Sequence, residues 1–455
     1  GVGRGLPAAL PGRVVRVITT TDLGFAWTAM RTSWGMCGTS TGVARILKFE
    51  RERQPTVWLD AGDLTVGAAA QLRGERPWQE AASLPLSAAA AGNHDFDEGA
   101  AALNAAARRL PFPLLCANVS AGLPGHVLLE TPCGPLGVIG LTHPFVHLFA
   151  DVPEPVSETG GVVRALAQDL RASGARWVIV LLHEGVTWWP AAPVGTRQSQ
   201  LVRLASAWAG EADLIVGGHT PAGWTGAIGG TPAGHPYAFA STVLVADLPC
   251  DAGGAVIRGL FKVPADEPVP PGPAALAVQE AERRIIGESR HTWLSRTAVG
   301  RYLPDLIAAA LAEASGAEAA FVPPGKHVTQ APLDGCVSAV AAGSVSELDL
   351  VRIFGGHDPP VVTELEPGEF DRMVRAHDAL AAPGSRAGDA VWWNWCRMPS
   401  GTQRRAGEPR TVAMLPSALP VARDLLRREL SVEPAGTCVI EACARLLNRG
   451  HSPGT

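Results

Sequence analysis

Six side chains able to hold a metal ion or move a proton stand near the ends of short apolar runs: Asp22, Asp63, Asn93, His94, His183 and His219. Carboxylates, imidazoles and an amide oxygen form a donor set that suits divalent cations such as zinc, manganese, magnesium or iron. A carboxylate between two cations holds them close. Water shared by such cations ionises near neutral pH, and the cations neutralise the oxygens of a phosphoryl group. The chemistry this implies is hydrolysis of an ester at phosphorus. His94 and Asp97 lie three residues apart, a spacing at which a carboxylate at a helix start can fix the tautomer of an imidazole that stabilises or protonates a leaving oxygen. Glycine sits beside several of these residues, in Gly62-Asp63, Gly92-Asn93-His94-Asp95 and Gly217-Gly218-His219, where the missing Cβ permits close backbone approach. Taken singly, an Asp after a strand is a turn or cap residue, and a single His is a satisfied polar group. Six donors, all at strand ends, are not accounted for in that way.

The elements that must carry them are read from the apolar runs RVITTTD (16–22), TVWLDAGD (56–63), FPLLCANV (112–119), LGVIGLTH (136–143), RWVIVLLH (176–183) and ADLIVGGH (212–219). Continuous β-branched runs bounded by turn residues predict buried strands. Helical patterns at 99–109 and 161–172 lie between them, so the fold class is α/β. A further strand is expected over 237–248. In open α/β sheets, ligands bind beyond the carboxyl ends of the strands, which is where the candidate donors stand. The Pro-rich stretch 263–273 reads as a linker, followed by a helical pattern over 274–288. A second amphipathic helix is expected at 302–315, with Gly316 as its C-terminal cap. The expected organisation is a first domain at 1–262, a linker with its helix at 263–290, and a second domain at 291–455.

Composition removes other classes. Apolar residues make up 47% and charged residues 18% of 455, enough for large cores. The net charge of −5 comes with no Lys/Arg stripe, so nucleic acid is not an expected partner. No run reaches the ~18 apolar residues needed to span a bilayer, so no membrane association is expected. The eight cysteines are irregularly spaced and include no Cys-x-x-Cys pair. They read as buried free thiols rather than a zinc or redox motif. The first residues lack an apolar leader core, and a cytoplasmic location is the expectation. Oligomeric state stays open.

The ordered set Asp22…Gly62-Asp63…Gly92-Asn93-His94-Asp95…His183…Gly217-Gly218-His219 resembles the calcineurin-like metallophosphoesterases. Phe96-Asp97 and PLLCANV (113–119) resemble the 5′-nucleotidase branch of that superfamily. The resemblance implies a four-layer α/β/β/α sandwich followed by a second α/β C-terminal substrate domain. It also implies divalent metal (Mn, Zn, Mg or Fe, one or two ions) and a phosphorylated small molecule or nucleotide as substrate. By the same resemblance, Asp63 bridges two metals, Asn93, His183 and His219 complete one site, and Asp22 belongs to the other. His94 then sits beside the reacting phosphoryl group, oriented by Asp97.

Two family histidines are replaced, by Gly24 and by Pro221, and both belong to the metal held by Asp22. Three consequences stand open: a weaker cation held by carboxylates and water, a single working metal, or a family member of non-hydrolytic or altered chemistry, such as a binding protein or a biosynthetic enzyme acting on a specialised metabolite. His143, His147 and His235 read as surface or core histidines rather than replacements. The family's substrate-contacting segments are also changed. Lys326, His327, Arg352 and His357 are the candidate anion-binding residues of the second half. Trp392, Trp393 and Trp395 read as a packed strand in preference to a stacking platform.

Overall fold

The structure is a computed structural model. It describes residues 6–10, 12–25, 31–32, 35–36, 38–72, 74–148, 150, 152–153, 159–186, 199–220, 222–251, 253–264, 271–294, 301–322, 339–354, 356–373, 395–397 and 410–450. The chain divides into two compact units. One comprises residues 1–66 and 75–275, the other residues 67–74 and 276–455.

Among the described residues, the first unit holds two six-stranded sheets, besides the small hairpin Arg31–Thr32 with Gly35–Met36. The strands of the two sheets are β1 (Val14–Thr20), β2 (Thr56–Asp60), β3 (Ala88–Ala90), β4 (Leu114–Leu115), β5 (His126–Leu129), β6 (Leu136–Leu141), β7 (Trp177–Leu182), β8 (Leu214–Gly217), β9 (Trp224–Ile228), β10 (Thr231–His235), β11 (Thr242–Pro249) and β12 (Val256–Lys262). One sheet runs β12-β11-β1-β2-β3-β4 and the other β9-β10-β8-β7-β6-β5. β1 through β4 are mutually parallel, as are β6, β7, β8 and β10. β11, β12, β5 and β9 are antiparallel to their neighbours.

The strand period of two sorts the apolar side chains into layers. Val15, Val17, Leu59, Ala88 and Ala90 face Leu136, Val138, Ile179, Leu181, Leu214 and Val216 between the sheets. The alternate residues Ile139, Val178, Val180 and Leu182 pack outward on Val163, Ala167 and Leu170 of the helix Thr159–Ala172. On the far side, the helix Ser40–Arg51 buries Ile46 and Leu47 against β2. Its start is capped by Thr39, whose hydroxyl accepts from Gly42 N at 3.1 Å. These are the four layers α/β/β/α. Strands covered on both faces read as continuous apolar runs, which is why the sequence shows them.

A buried charge network ties β1 to its surroundings. Arg16 donates to Asp247 of β11 at 2.9 Å and to Glu50 of the helix at 2.7 Å.

In the second unit, a five-stranded sheet joins Trp395–Arg397, Ala319–Val322, Arg410–Met414, Val361–Leu365 and Glu433–Pro434. The helix Leu303–Ser315 forms where the spacing predicts it. Leu306, Ile307, Ala310 and Leu311 are buried with Ile440, Cys443 and Leu447 of the helix Val439–Asn448. Gly316 takes φ 74° and returns its amide to Ala312 O.

Three sequence expectations are corrected, and one strand forms where the sequence predicts none. The helix expected through 288 ends at Arg283, and Ile285–Ser289 forms a strand paired with Gly343–Ser346, a partner that local periodicity cannot show. β3 is built from three alanines, residues of low strand propensity, and burial between sheet neighbours makes it a strand. The run 112–119 yields only the two-residue β4. Cys133 and Cys250, expected as free thiols, form a disulfide with Cα atoms 5.0 Å apart, while Cys116 and Cys443 are buried free thiols. Such bridges persist mainly in oxidising compartments, unlike the reducing cytoplasm. Among the described residues, no helix is long and apolar enough to cross a membrane.

Candidate metal centre

The candidate donors come from the carboxyl ends of parallel strands in both sheets. Asp22 follows β1, Asp63 follows β2, Asn93 and His94 follow β3, His183 directly follows β7, and His219 follows β8. Two converging sheet edges supply more donors than one could.

Donor atoms of Asp63, His183 and His219 lie within 4.8 Å of one another, close enough for one cation. His183 Nδ1 faces the carbonyl of Ala61 at 2.8 Å. Donation there leaves Nε2 as the lone-pair nitrogen, the arrangement found in metal-bound imidazoles. That Nε2 is fully buried and without a hydrogen-bond partner, and it lies 3.2 Å from Asp63 Oδ2. Asn93 Oδ1 is likewise buried without a partner. A buried amide oxygen without a donor, beside a buried imidazole nitrogen that faces a carboxylate, is what a cation would satisfy. The residues therefore fit a metal ion.

Charge supports the same reading. Burial opposes a charged imidazole at His183, yet Asp63 beside it carries His183 up to about 10. Burial favours neutral Asp63, but His183 and His94 hold it below the usual carboxylate range. In the metal-free protein a proton thus stands where a cation would. Burial, followed by the neighbouring imidazoles His143 and His183, holds His219 well below its ordinary value, so it is the neutral form that a metal ligand requires.

The backbone is strained at these residues. Asp22, Asp63 and His219 have φ of 54°, 60° and 77°, in a region that residues other than glycine rarely occupy. Such strain persists only where the surroundings impose it, and it clusters at functional sites. Asp95 supplies much of that constraint. Its Oδ2 accepts from Asp63 N (3.1 Å) and Gly92 N (2.8 Å), and its Oδ1 from Thr65 N and Thr65 Oγ1 (both 2.9 Å). Asp60 accepts from Gly62 N at 2.9 Å and from Thr20 Oγ1 at 2.6 Å. The sequence shows Asp95 inside the Gly-Asn-His-Asp string but assigns it no role. Glycine is needed at Gly62 and Gly92, where a Cβ would stand 2.4 Å from His183 Nδ1 and 2.1 Å from Asp63 Oδ1.

His94 donates its amide to Asp63 Oδ1 at 2.8 Å, and its Nδ1 lies 3.1 Å from Asp97 Oδ2. The pair sits on the short 3₁₀ turn His94–Phe96, and the Asn93 side chain does not cap that turn. Asp22 borders the three-residue group without belonging to it. Its Oδ2 accepts from Thr21 Oγ1 (2.7 Å) and His219 N (3.2 Å), and burial raises it to about 7.

Gly24 is more than an absent histidine. A Cβ there would lie 2.2 Å from Val66 N and 2.9 Å from Leu64 O, so backbone of the chain after Asp63 fills the side-chain space. Pro221 lies outside the described residues. His143, on the loop after β6, is buried and stacks on His219 with ring centroids 4.4 Å apart. His235 ends β10 fully buried, with Nε2 2.6 Å from Gly218 O. His147, on the turn Val146–Leu148, has a buried Nδ1 without a partner.

In the second unit, Arg352 is exposed on the helix Glu347–Phe354. His357 is also exposed, with Nε2 3.2 Å from Glu347 Oε1. Lys326, His327, Trp392 and Trp393 lie outside the described residues, and Trp395 begins the strand Trp395–Arg397.

Residues 15–223 match the family described as calcineurin-like phosphoesterase. No curated protein matches the sequence. Several solved structures match in fold. A 5′-nucleotidase precursor from Thermus thermophilus has 15% identity and a TM-score of 0.71, with 96% of each chain covered. A putative 5′-nucleotidase from Staphylococcus aureus has 14% identity and a TM-score of 0.73, over 96% of this chain and 97% of that one. The sulfate thiohydrolase SoxB of Thermus thermophilus has 15% identity and a TM-score of 0.62, over 97% and 95%.

Proposed function

The chain carries a calcineurin-like phosphoesterase domain over residues 15–223 and has the two-unit fold of 5′-nucleotidases, and on that premise we propose that it is a metal-dependent hydrolase of phosphorylated small molecules or nucleotides working from one strong metal site. Asp63, Asn93, His183 and His219 would hold that metal. The carrying observation is the pair of buried polar atoms without a hydrogen-bond partner, His183 Nε2 and Asn93 Oδ1, beside the Asp63, His183 and His219 group. Asp22 is the protein contribution to a weaker second position, because Gly24 leaves no space for a histidine there.

A divalent cation, when bound, supplies Lewis-acid polarisation of the phosphoryl oxygen and activation of water. The chain's own residues orient and move protons. Asp97 holds His94 by Nδ1, leaving Nε2 to stabilise or protonate the leaving oxygen. Asp95 fixes the Asp63 amide and the Gly92 turn, so both ligand loops are set before substrate arrives. For the substrate's remaining charge, Lys326, His327, Arg352 and His357 are the proposed contacts.

The test pairs metal content with turnover. Elemental analysis after Mn²⁺ loading is expected to give about one tightly held ion per chain. Turnover on phosphomonoesters, cyclic nucleotides or nucleotide sugars is expected to fall roughly 10²–10⁴-fold in His94→Ala with metal content unchanged. Absence of bound metal, or no turnover on any of these with His94→Ala indistinguishable from the parent, would refute the proposal. Metal binding without turnover would instead favour the altered-chemistry reading, which the depleted Asp22 position supports. The fold is shared with a sulfate thiohydrolase, so thiosulfate and sulfate esters belong in the same panel.

A further inference from the structure

We propose that His143 and Glu184 form a positioning pair that sets the ring of His219 for metal binding. The inference rests on the metal-centre reading above and adds two residues to it.

His143 is 7% exposed and Glu184 1% exposed. The backbone amide of Phe145 donates to His143 Nδ1 at 3.1 Å. An imidazole that accepts at Nδ1 carries its proton on Nε2. That Nε2 faces Glu184 Oε2 at 3.5 Å. The other carboxylate oxygen, Oε1, is taken by Gly185 N at 2.8 Å, while Oε2 is buried with no hydrogen-bond partner. Phe145 therefore fixes the tautomer, and Glu184 fixes the direction in which the ring points.

The orientation matters because of what the ring touches. His143 lies against His219 with centroids 4.4 Å apart and planes tilted by 43°. His183 meets His219 from another side at 5.2 Å and 74°. The His219 backbone is held in a left-handed conformation by its own amide bond to Asp22, but that bond leaves the side-chain torsions open. The two flanking imidazoles restrict them. Glu184 also accepts, through its main-chain carbonyl, from Gly218 N at 3.1 Å. One residue thus braces both the loop that carries His219 and the ring that packs on it. Groups that orient a metal ligand from outside the coordination sphere change metal affinity by roughly 10–100-fold when removed.

The experiment uses Co²⁺ as a probe of ligand geometry in the full chain, with visible absorption and calorimetric titration. His143→Ala removes the ring. Glu184→Gln is nearly isosteric; with its oxygen retained by Gly185 N, it turns an amide donor toward the His143 N–H and repels it. Both are expected to lower Co²⁺ affinity roughly 10-fold or more and to change the position or intensity of the d–d bands. His143→Phe, which keeps a ring against His219, is expected to recover part of the affinity lost in His143→Ala. Parental affinity and spectrum in Glu184→Gln would overturn the proposal, whether or not His143→Ala folds. If the parent itself binds no Co²⁺, it is the metal-centre reading that fails. If the parent binds and the variants match it, only the positioning pair is refuted.

Discussion

Restoring the family's histidine at position 24 is the obvious repair of the second metal site, and the structure predicts that it fails. A Cβ at Gly24 would stand 2.2 Å from Val66 N, 2.8 Å from Val66 O and 2.9 Å from Leu64 O. All three obstacles are backbone atoms, so no side-chain rotation clears them, and a shift of about 1 Å is needed to reach ordinary contact. Overpacking of this kind costs about 1–3 kcal/mol or more. The displaced segment begins next to Asp63, whose carbonyl accepts from Gly24 N at 3.2 Å, so the strain reaches a metal ligand directly. At about 3 kcal/mol, Gly24→His is expected to lower Tm by roughly 6–12 °C. Gly24→Ala, which adds the clash without the imidazole, should share most of that loss. Mn²⁺ stoichiometry should stay near one per chain or fall. Calorimetry and elemental analysis on the two variants decide the matter. A Gly24→His protein with parental Tm and a second tightly bound metal would refute the reasoning.

Burial raises Asp60 to about 8, so the folded chain keeps a proton that the unfolded chain releases near pH 4. Stability of the metal-free protein from this group is full below that pH and is lost as pH rises toward 8, at up to about 1.4 kcal/mol per pH unit. Urea titrations at pH 5 and pH 8 should show the fall, and Asp60→Asn should flatten it; an unchanged slope in the variant refutes the assignment. In Asp95→Asn, two of the four donors that meet the carboxylate would face an amide donor, costing about 2–4 kcal/mol, and weaker Mn²⁺ binding should accompany the loss. Parental stability and affinity in that variant would show that Asp95 does not set the ligand loops. The Cys133–Cys250 bridge closes a separation of 117 residues, for which the chain-entropy account gives about 5 kcal/mol. Reductant, or Cys133→Ser, should therefore lower Tm markedly, and a Tm indifferent to both would mean that the bridge carries no stability.

Much of the first unit was legible because its central strands are covered on both faces. Such strands must be apolar throughout, and the runs ending near Asp22, Asp63, His183 and His219 are of that kind. The helix Leu303–Ser315 was legible for the same reason at a different period, since one apolar stripe faces its core and Gly316 takes the left-handed cap. β3 was not legible, because three alanines carry no local strand signal. Ile285–Ser289 carries a helical pattern in the sequence yet forms a strand, because its partner lies some sixty residues away, at Gly343–Ser346. The cysteine pairing was hidden for a related reason: spacing along the chain says nothing about which loops of two stacked sheets meet.

The sequence by itself determined the donor set, its order, and the glycines that let backbone approach it, since those depend on residue type and near neighbours. Only the tertiary structure decided how those donors work together. It set the His183 tautomer through Ala61, placed His143 and Glu184 beside His219, made Asp95 the clamp of two loops, and filled the space at Gly24 with the backbone of residues 64–66. Each of these depends on atoms far apart in the chain that are brought within a few ångströms by the pairing of strands within a sheet or, for His183 and Ala61, by the packing of one sheet on the other. That distance is set by the whole core, and no local pattern encodes it.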